Sequence, residues 1–126
     1  MENKPAKKIL IVEDENELIV GLSTLLKSQG YLTVAASDAL FGISLTHREK
    51  PDLIILDLGL PAGGGLHVLE NLNHSTATKN IPVVILTAQQ EEGLEEKLKL
   101  MGVAGFFQKP FEPETLLSKI KEILNK

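Results

Sequence analysis

Residues 53–56, Leu-Ile-Ile-Leu, form an uninterrupted apolar run that stops at the single carboxylate of Asp57 and is followed by Gly59 and Pro61. A run with two β-branched residues and no polar alternation is typical of a strand buried on both faces. Such strands occur in parallel sheets that are covered by helices on each side. An open α/β sheet places its ligand site at the carboxyl ends of its strands, so Asp57 lies at the natural position for chemistry.

Four more apolar runs occur along the chain, and each of the five is followed by a segment with helical spacing of apolar residues. The predicted strands cover residues 9–12, 31–36, 53–57, 81–87 and 103–108. Gly30, Pro51 and Gly102 mark the ends of predicted helices. This alternation predicts a mostly parallel sheet with right-handed crossovers and helices on both faces.

Two features predict local structure within this pattern. The glycine-rich segment 61–65 is predicted to be a flexible loop before the third helix. Gly42, inside the second helix, costs about 1 kcal/mol relative to alanine, which indicates close packing there. Ser37 or Asp38 is the predicted cap of that helix.

The composition limits the function classes. With 126 residues, of which 43% are apolar, the chain fits one domain over residues 1–126. Its 13 Lys and Arg against 17 Asp and Glu argue against binding to nucleic acid or an anionic membrane. It has no Cys, which excludes a disulfide framework or a thiol nucleophile. We find no signal peptide or membrane span, and we expect a cytoplasmic protein.

The polar residues at the predicted strand ends belong to four different strands. Glu13 and Asp14 follow the first strand, Asp57 and Thr87 end the third and fourth, and Lys109 follows the fifth. Because parallel strands bring these ends to one edge, we expect the side chains to meet. Clustered carboxylates repel one another unless a cation neutralises them, and Mg²⁺ prefers oxygen ligands completed by a phosphate. Lys109 then supplies a point charge for that phosphate.

This set of groups favours phosphoryl transfer to a side chain. Asp57 is the expected nucleophile, because aspartate carboxylates form aspartyl-phosphates. Asp14, with Glu13 directly or through water, would hold Mg²⁺. Thr87 would donate a hydrogen bond to a phosphoryl oxygen, and the small Ala88 beside it leaves room for the group.

At these residues the chain resembles the receiver domain of two-component response regulators. The motifs that carry the resemblance are Val12-Glu13-Asp14, Asp57-Leu58-Gly59-Leu60-Pro61, Leu86-Thr87-Ala88 and Lys109-Pro110-Phe111. The resemblance implies a flavodoxin-like (βα)5 sandwich with strand order 2-1-3-4-5. It also implies that Asp57 accepts phosphate from the phospho-His of a sensor histidine kinase or phosphotransfer protein, with Mg²⁺ or Mn²⁺.

The same resemblance implies further roles. The backbone carbonyl of Gly59 is an implied metal ligand, and the Lys109–Pro110 bond is implied to be cis. Phe106 occupies the aromatic switch position. On phosphorylation Thr87 would move towards the phosphoryl group and Phe106 would turn inward, which would change the surface of helix 4, strand 5 and helix 5. A downstream protein or output domain would read that surface, and the chain would be a monomer that can dimerise on phosphorylation. Gly59 and Gln89 occupy positions that tune access of water to the phosphoryl group.

Other interpretations stay open. Taken singly, acids after a strand favour a helix dipole, Thr87 can cap a helix, Lys109 can be a surface lysine, and Phe106 can be a core residue. A receiver-like scaffold that works without phosphorylation is one alternative. A Mg²⁺-dependent phosphohydrolase is another, but Gly59 stands where a second Asp is needed. We expect a signalling switch rather than an enzyme. The three histidines, which lack ligand-like spacing, are predicted to lie at the surface, and they are His47, His67 and His74.

Overall fold

The computed structural model describes residues 5–125. Five strands form one sheet in which every neighbouring pair is parallel. The strand order is β2-β1-β3-β4-β5, which confirms the predicted order and the flavodoxin-like architecture. The strands are β1 (Lys8–Val12), β2 (Leu32–Ala36), β3 (Leu53–Asp57), β4 (Val83–Thr87) and β5 (Gly105–Gln108). The helices are α1 (Asn16–Ser28), α2 (Ala39–Glu49), α3 (Gly64–Asn73), α4 (Leu94–Leu100) and α5 (Pro113–Leu124).

The central strand β3 explains the apolar run that ends at Asp57. Ile55 pairs with Ile11 of β1 on one side and with Val84 of β4 on the other. Every residue of β3 is buried, because neighbouring strands flank it and helices cover both faces. The one polar side chain of β3 is that of Asp57, at its last position.

Helices cover the sheet in two layers with separate cores. One core packs α1 and α5 against the sheet, and it includes Ile9, Ile11, Leu22, Leu26, Ile55, Leu116 and Ile120. The other packs α2, α3 and α4 on the opposite face, and it includes Leu10, Leu45, Ile54, Leu56, Leu69, Leu72 and Leu98. Successive strand residues enter opposite cores, as the period of two requires. Within residues 5–125, the helices are too short or too polar to cross a bilayer.

Three strands are shorter than predicted at their starts, and in β2 the difference is one residue, since it begins at Leu32 rather than Tyr31. β4 begins at Val83 rather than Ile81, because Pro82 has no N–H to offer a ladder and contributes only its carbonyl to Ile54. β5 begins at Gly105 rather than Val103, opposite Val84 near the start of β4.

The prediction of a loop over residues 61–65 is wrong for residues 64 and 65. A single 3-10 turn covers Pro61–Gly63, and α3 already begins at Gly64. Gly64 and Gly65 are buried, and a Cβ on Gly65 would lie 2.5 Å from the Asp57 carbonyl oxygen and from the Leu58 backbone. The glycines therefore allow α3 to approach the end of β3 closely, rather than making a flexible link.

Two local predictions for α2 are confirmed. Asp38 caps the helix, since its Oδ1 accepts a hydrogen bond from the Phe41 N–H at 2.8 Å. A Cβ on Gly42 would lie 2.9 Å from Cγ1 of Val12, so this glycine does permit close packing against β1.

Candidate phosphoacceptor site

The carboxyl edge of the sheet brings the acidic residues together. One carboxylate oxygen from each of Glu13, Asp14 and Asp57 lies within 4.8 Å of the other two. Glu13 and Asp57 are buried, with 2% and 5% of their surfaces exposed, whereas Asp14 is open to solvent. Three carboxylates at this spacing, one of them accessible, are a donor set suited to a hard divalent cation such as Mg²⁺.

Lys109 lies between two of these acids. Its Nζ is 3.0 Å from Oε1 of Glu13, to which it donates a hydrogen bond, and 3.5 Å from Oδ2 of Asp57. The side chain is only 20% exposed. Lys109 therefore compensates the negative charge of Glu13, and its ammonium group lies close enough to Asp57 to contact a group bound to that carboxylate.

Burial and charge shift the pKa values of this pair. Burial raises the pKa of the Glu13 carboxyl, although the hydrogen bonds from Lys109 and from the Glu15 N–H oppose it. Burial lowers the pKa of Lys109, but the hydrogen bond to Glu13 and the charge of Asp57 outweigh burial and leave that pKa above its usual value. Lys109 is accordingly a permanent cation at neutral pH.

The backbone fixes the orientation of both buried carboxylates. The Gly59 N–H donates to Oδ1 of Asp57 at 2.8 Å, and the Glu15 N–H donates to Oε2 of Glu13 at 3.1 Å. A Cβ on Gly59 would lie 3.3 Å from Oδ1 of Asp57, so a larger residue would crowd this carboxylate. Gly59 thus holds Asp57 while leaving the space beside it open.

Thr87 closes the other side of the site. It is fully buried at the end of β4, and its Oγ1 accepts a hydrogen bond from the Gln89 N–H at 3.0 Å. Its carbonyl accepts from the Lys109 N–H at 2.8 Å, which ties the ends of β4 and β5 together. The Lys109–Pro110 bond is cis, as the resemblance implied. Ala88 and Gln89 are exposed, so the surface beside Thr87 is open.

Phe106 lies further from the acids. It pairs with Ile85 in the sheet and packs, half-buried, against the core that contains α2, α3 and α4. Phe106 thus lies in β5 two residues before Gln108, the residue that pairs with Thr87. The three histidines are exposed, as predicted.

Sequence reasoning missed the pairing of Lys109 with Glu13 and the backbone donors of Glu15, Gly59 and Gln89. The available signal for this pair was that a single lysine, Lys109, follows the last strand while the acids Glu13 and Asp14 follow the first. The backbone donors carry no side-chain signal and depend on the turn geometry.

A family model for the response regulator receiver domain matches residues 9–121, and this chain belongs to that family. It is therefore a receiver domain of the two-component type. Its similarity extends over nearly the whole chain.

Three relatives illustrate the match. The phosphate regulon transcriptional regulatory protein PhoB of Escherichia coli is 34% identical over 123 residues, which cover 96% of this chain and 53% of PhoB. Sporulation initiation phosphotransferase F of Bacillus subtilis is 30% identical over 118 residues, covering 94% of each chain. The solved structure of the chemotaxis protein CheY4 of Vibrio cholerae superposes with a TM-score of 0.87 at 27% identity, covering 95% of this chain and all of CheY4. The chain thus spans about half the length of PhoB and nearly all of the smaller relatives.

Proposed function

We propose that this chain is a phosphoacceptor switch that receives a phosphoryl group on Asp57 from the phospho-His of a histidine kinase or phosphotransfer protein. The observation that carries the proposal is a buried carboxylate held by the Gly59 N–H, with a lysine 3.5 Å away and two further acids beside it. Membership of the receiver family supports the same assignment.

The chain's own groups account for the transfer. A carboxylate oxygen of Asp57 forms the new bond to phosphorus, while the bond from phosphorus to the donor imidazole breaks and the imidazole leaves with that electron pair. Lys109 turns from Glu13 towards a phosphoryl oxygen. The Thr87 hydroxyl, whose oxygen already accepts a hydrogen bond from the Gln89 N–H, donates a hydrogen bond to another phosphoryl oxygen. Ala88 is small enough to leave room for the group.

Divalent metal fits the acidic residues of this edge. Asp14, Asp57, the Gly59 carbonyl and Glu13, directly or through water, would hold Mg²⁺ or Mn²⁺. The ion would offset the negative charge that accumulates on the phosphoryl oxygens during transfer.

The response of the domain follows from Thr87 and Phe106. When Thr87 moves towards the phosphoryl group, space opens behind it, and Phe106 turns inward to fill it. The surface of α4, β5 and α5 then changes and is read by a downstream protein or output domain, with dimerisation of a monomeric chain as one form of readout. Residues 1–126 act as one receiver domain in the cytoplasm, without turnover of an external substrate.

Intact mass spectrometry after incubation with acetyl phosphate, with and without Mg²⁺, tests the proposal. We expect a gain of one phosphoryl group that requires Mg²⁺ and is absent in Asp57→Asn, which keeps the shape of the side chain without its charge. Labelling of the Asp57→Asn protein at another carboxylate would overturn the assignment of Asp57. If the parent chain forms neither an adduct nor a beryllofluoride complex, the chain is a scaffold.

A further inference from the structure

The outer edge of β2 is open for pairing with another strand. β2 lies at one end of the sheet order and pairs with β1. The Leu32 N–H and the Ala36 carbonyl both bond to the β1 segment, so these residues turn their backbone groups inward. Because backbone groups alternate in direction along a strand, Thr33 and Ala35 turn theirs outward. Within residues 5–125, no other strand pairs with this outward row.

The two edges of the sheet differ in how they are protected. Long charged side chains surround the free edge of β5, and they belong to Glu95, Lys99 and Lys119. Residues 30–37, by contrast, carry no charged side chain and no proline. Charges and prolines at an edge prevent pairing with another chain, so the edge of β2 is a template for a further strand.

Large apolar side chains are exposed at both ends of β2. Leu32 is 53% exposed at its start, and Leu40 and Phe41 are 77% and 44% exposed in the first turn of α2, which follows its end. A strand of this length separates the two ends by about 13 Å. Within one chain, Leu32 is therefore too far from the other two side chains to cover them.

We propose that β2 pairs with the β2 of a second copy of this chain, in antiparallel register about Val34. In that register Thr33 faces the second copy's Ala35, and Ala35 faces the second copy's Thr33. Every outward N–H then meets an outward carbonyl of the other chain. The two chains are related by a two-fold axis, so the assembly closes at a dimer.

The same register joins the apolar side chains that one chain leaves apart. Leu32 lies opposite the second copy's Ala36, and opposite residues of an antiparallel pair point to the same face. That face is the one covered by α2, because Ala36 and Ala39 both belong to its core. Leu32 therefore arrives at the end of the strand from which the second copy's Leu40 and Phe41 follow. A second copy supplies this match at both ends by symmetry, which is why we favour it over an unrelated strand.

The pairing leaves the candidate site and the switch surface free. Antiparallel strands direct the carboxyl edges of the two sheets to opposite ends of the dimer, so each Asp57 stays accessible. β5 forms the other edge of the sheet, and α4 lies on its side of the molecule. The dimer therefore forms without phosphorylation, and the monomer of the proposed function is its dilute form.

Sedimentation equilibrium of the unphosphorylated chain tests the pairing. Because so short an interface is weak, the measurement extends to about 0.3 mM chain, where the mean mass should approach twice that of the monomer. Ala35→Pro removes an outward N–H that β1 does not use, and proline is tolerated at such an edge position. We expect this variant to weaken association at least tenfold and to unfold in one cooperative thermal transition like the parent chain.

Charge exchange at Thr33 tests the register itself. Across the two-fold axis Thr33 is the diagonal neighbour of the second copy's Thr33, at about 7–8 Å. Thr33→Lys and Thr33→Glu should each be monomeric, because like charges meet, and an equimolar mixture of the two should restore the dimer. Leu100→Lys is the matched control, since Leu100 is 90% exposed at the end of α4, and it should leave association unchanged.

Three results would overturn the inference. The first is a parent chain that stays monomeric at this concentration or associates only after treatment with acetyl phosphate and Mg²⁺. The second is a mixture of the two Thr33 variants that remains monomeric although each variant is folded. The third is loss of association in Leu100→Lys rather than in Thr33→Lys, which would place the interface on α4.

Discussion

The two sides of the candidate phosphoacceptor site are held in place by different interactions. On the β3 side, Leu58 and Leu60 are buried and Gly65 brings α3 against the backbone of Asp57. On the β4–β5 side, the segment 88–93 is exposed throughout, and the contacts are hydrogen bonds and the two ion pairs of Lys109. Packing thus fixes Asp57, the proposed nucleophile, whereas polar contacts hold Thr87 and Lys109. The proposed switch uses this division, because a part that can move must respond to a rigidly held acceptor.

Gly65→Ala should have the largest effect, because its Cβ would lie 2.5 Å from three backbone atoms. We expect a loss of about 3 kcal/mol in the free energy of unfolding. Gly93→Ala, on the exposed side, meets only the strain of a left-handed φ of 81° and should cost about 1 kcal/mol. Urea denaturation of the two variants measures both, and equal losses would contradict the contrast between the sides.

Lys109→Ala probes the polar side. Removing the ammonium leaves the buried Glu13 carboxylate without its partner, and we expect a loss of about 2 kcal/mol at neutral pH. Lys119→Ala breaks the exposed pair with Glu122 at 3.3 Å and should cost less than about 0.5 kcal/mol. Denaturation in the presence of a chelator compares the two variants. If the Lys109 variant is no less stable than the control, the ion pair with Glu13 is not a structural contact.

Ala62→Asn tests backbone strain in the exposed turn that follows β3. Ala62 has a φ of 58°, a left-handed conformation that asparagine adopts more easily than alanine. We expect a gain of about 1 kcal/mol in stability. The same change at the exposed Ala88, whose φ is not positive, serves as the control and should not stabilise the chain. Thermal melting of both variants provides the measurement.

Glu13→Gln should have the smallest effect on the free energy of unfolding, and it should change how that free energy depends on pH. Burial raises the pKa of Glu13 above its ordinary value of 4.5, so the folded chain retains this proton to a higher pH than the unfolded chain does. The free energy of unfolding therefore falls as pH rises from 4.5 through the raised pKa. Glu13→Gln removes this contribution, so its stability should decline less over that range. Parallel urea titrations with a chelator test this, and identical slopes for both proteins would contradict it.

The sequence predicted what depends on side-chain pattern. Apolar runs such as 53–56 located the strands, and their order and the positions of the strand-end acids agree with the structure. The segment 61–65 was misread, because glycine marks both flexible turns and close backbone approach, and only the fold separates the two. The partner of Lys109 was missed for a similar reason, since an ion pair between distant segments depends on how far each side chain reaches.

The Glu13–Lys109 hydrogen bond joins residues separated by 96 positions, the widest span among the side-chain bonds of residues 5–125. During synthesis, the acids after β1 emerge long before the lysine that compensates them. A chain that has not yet placed β5 against β4 lacks the contact of Lys109 with Glu13, so the buried acid is without its cation. The proposed phosphoacceptor site is therefore complete only once β5 has paired with β4.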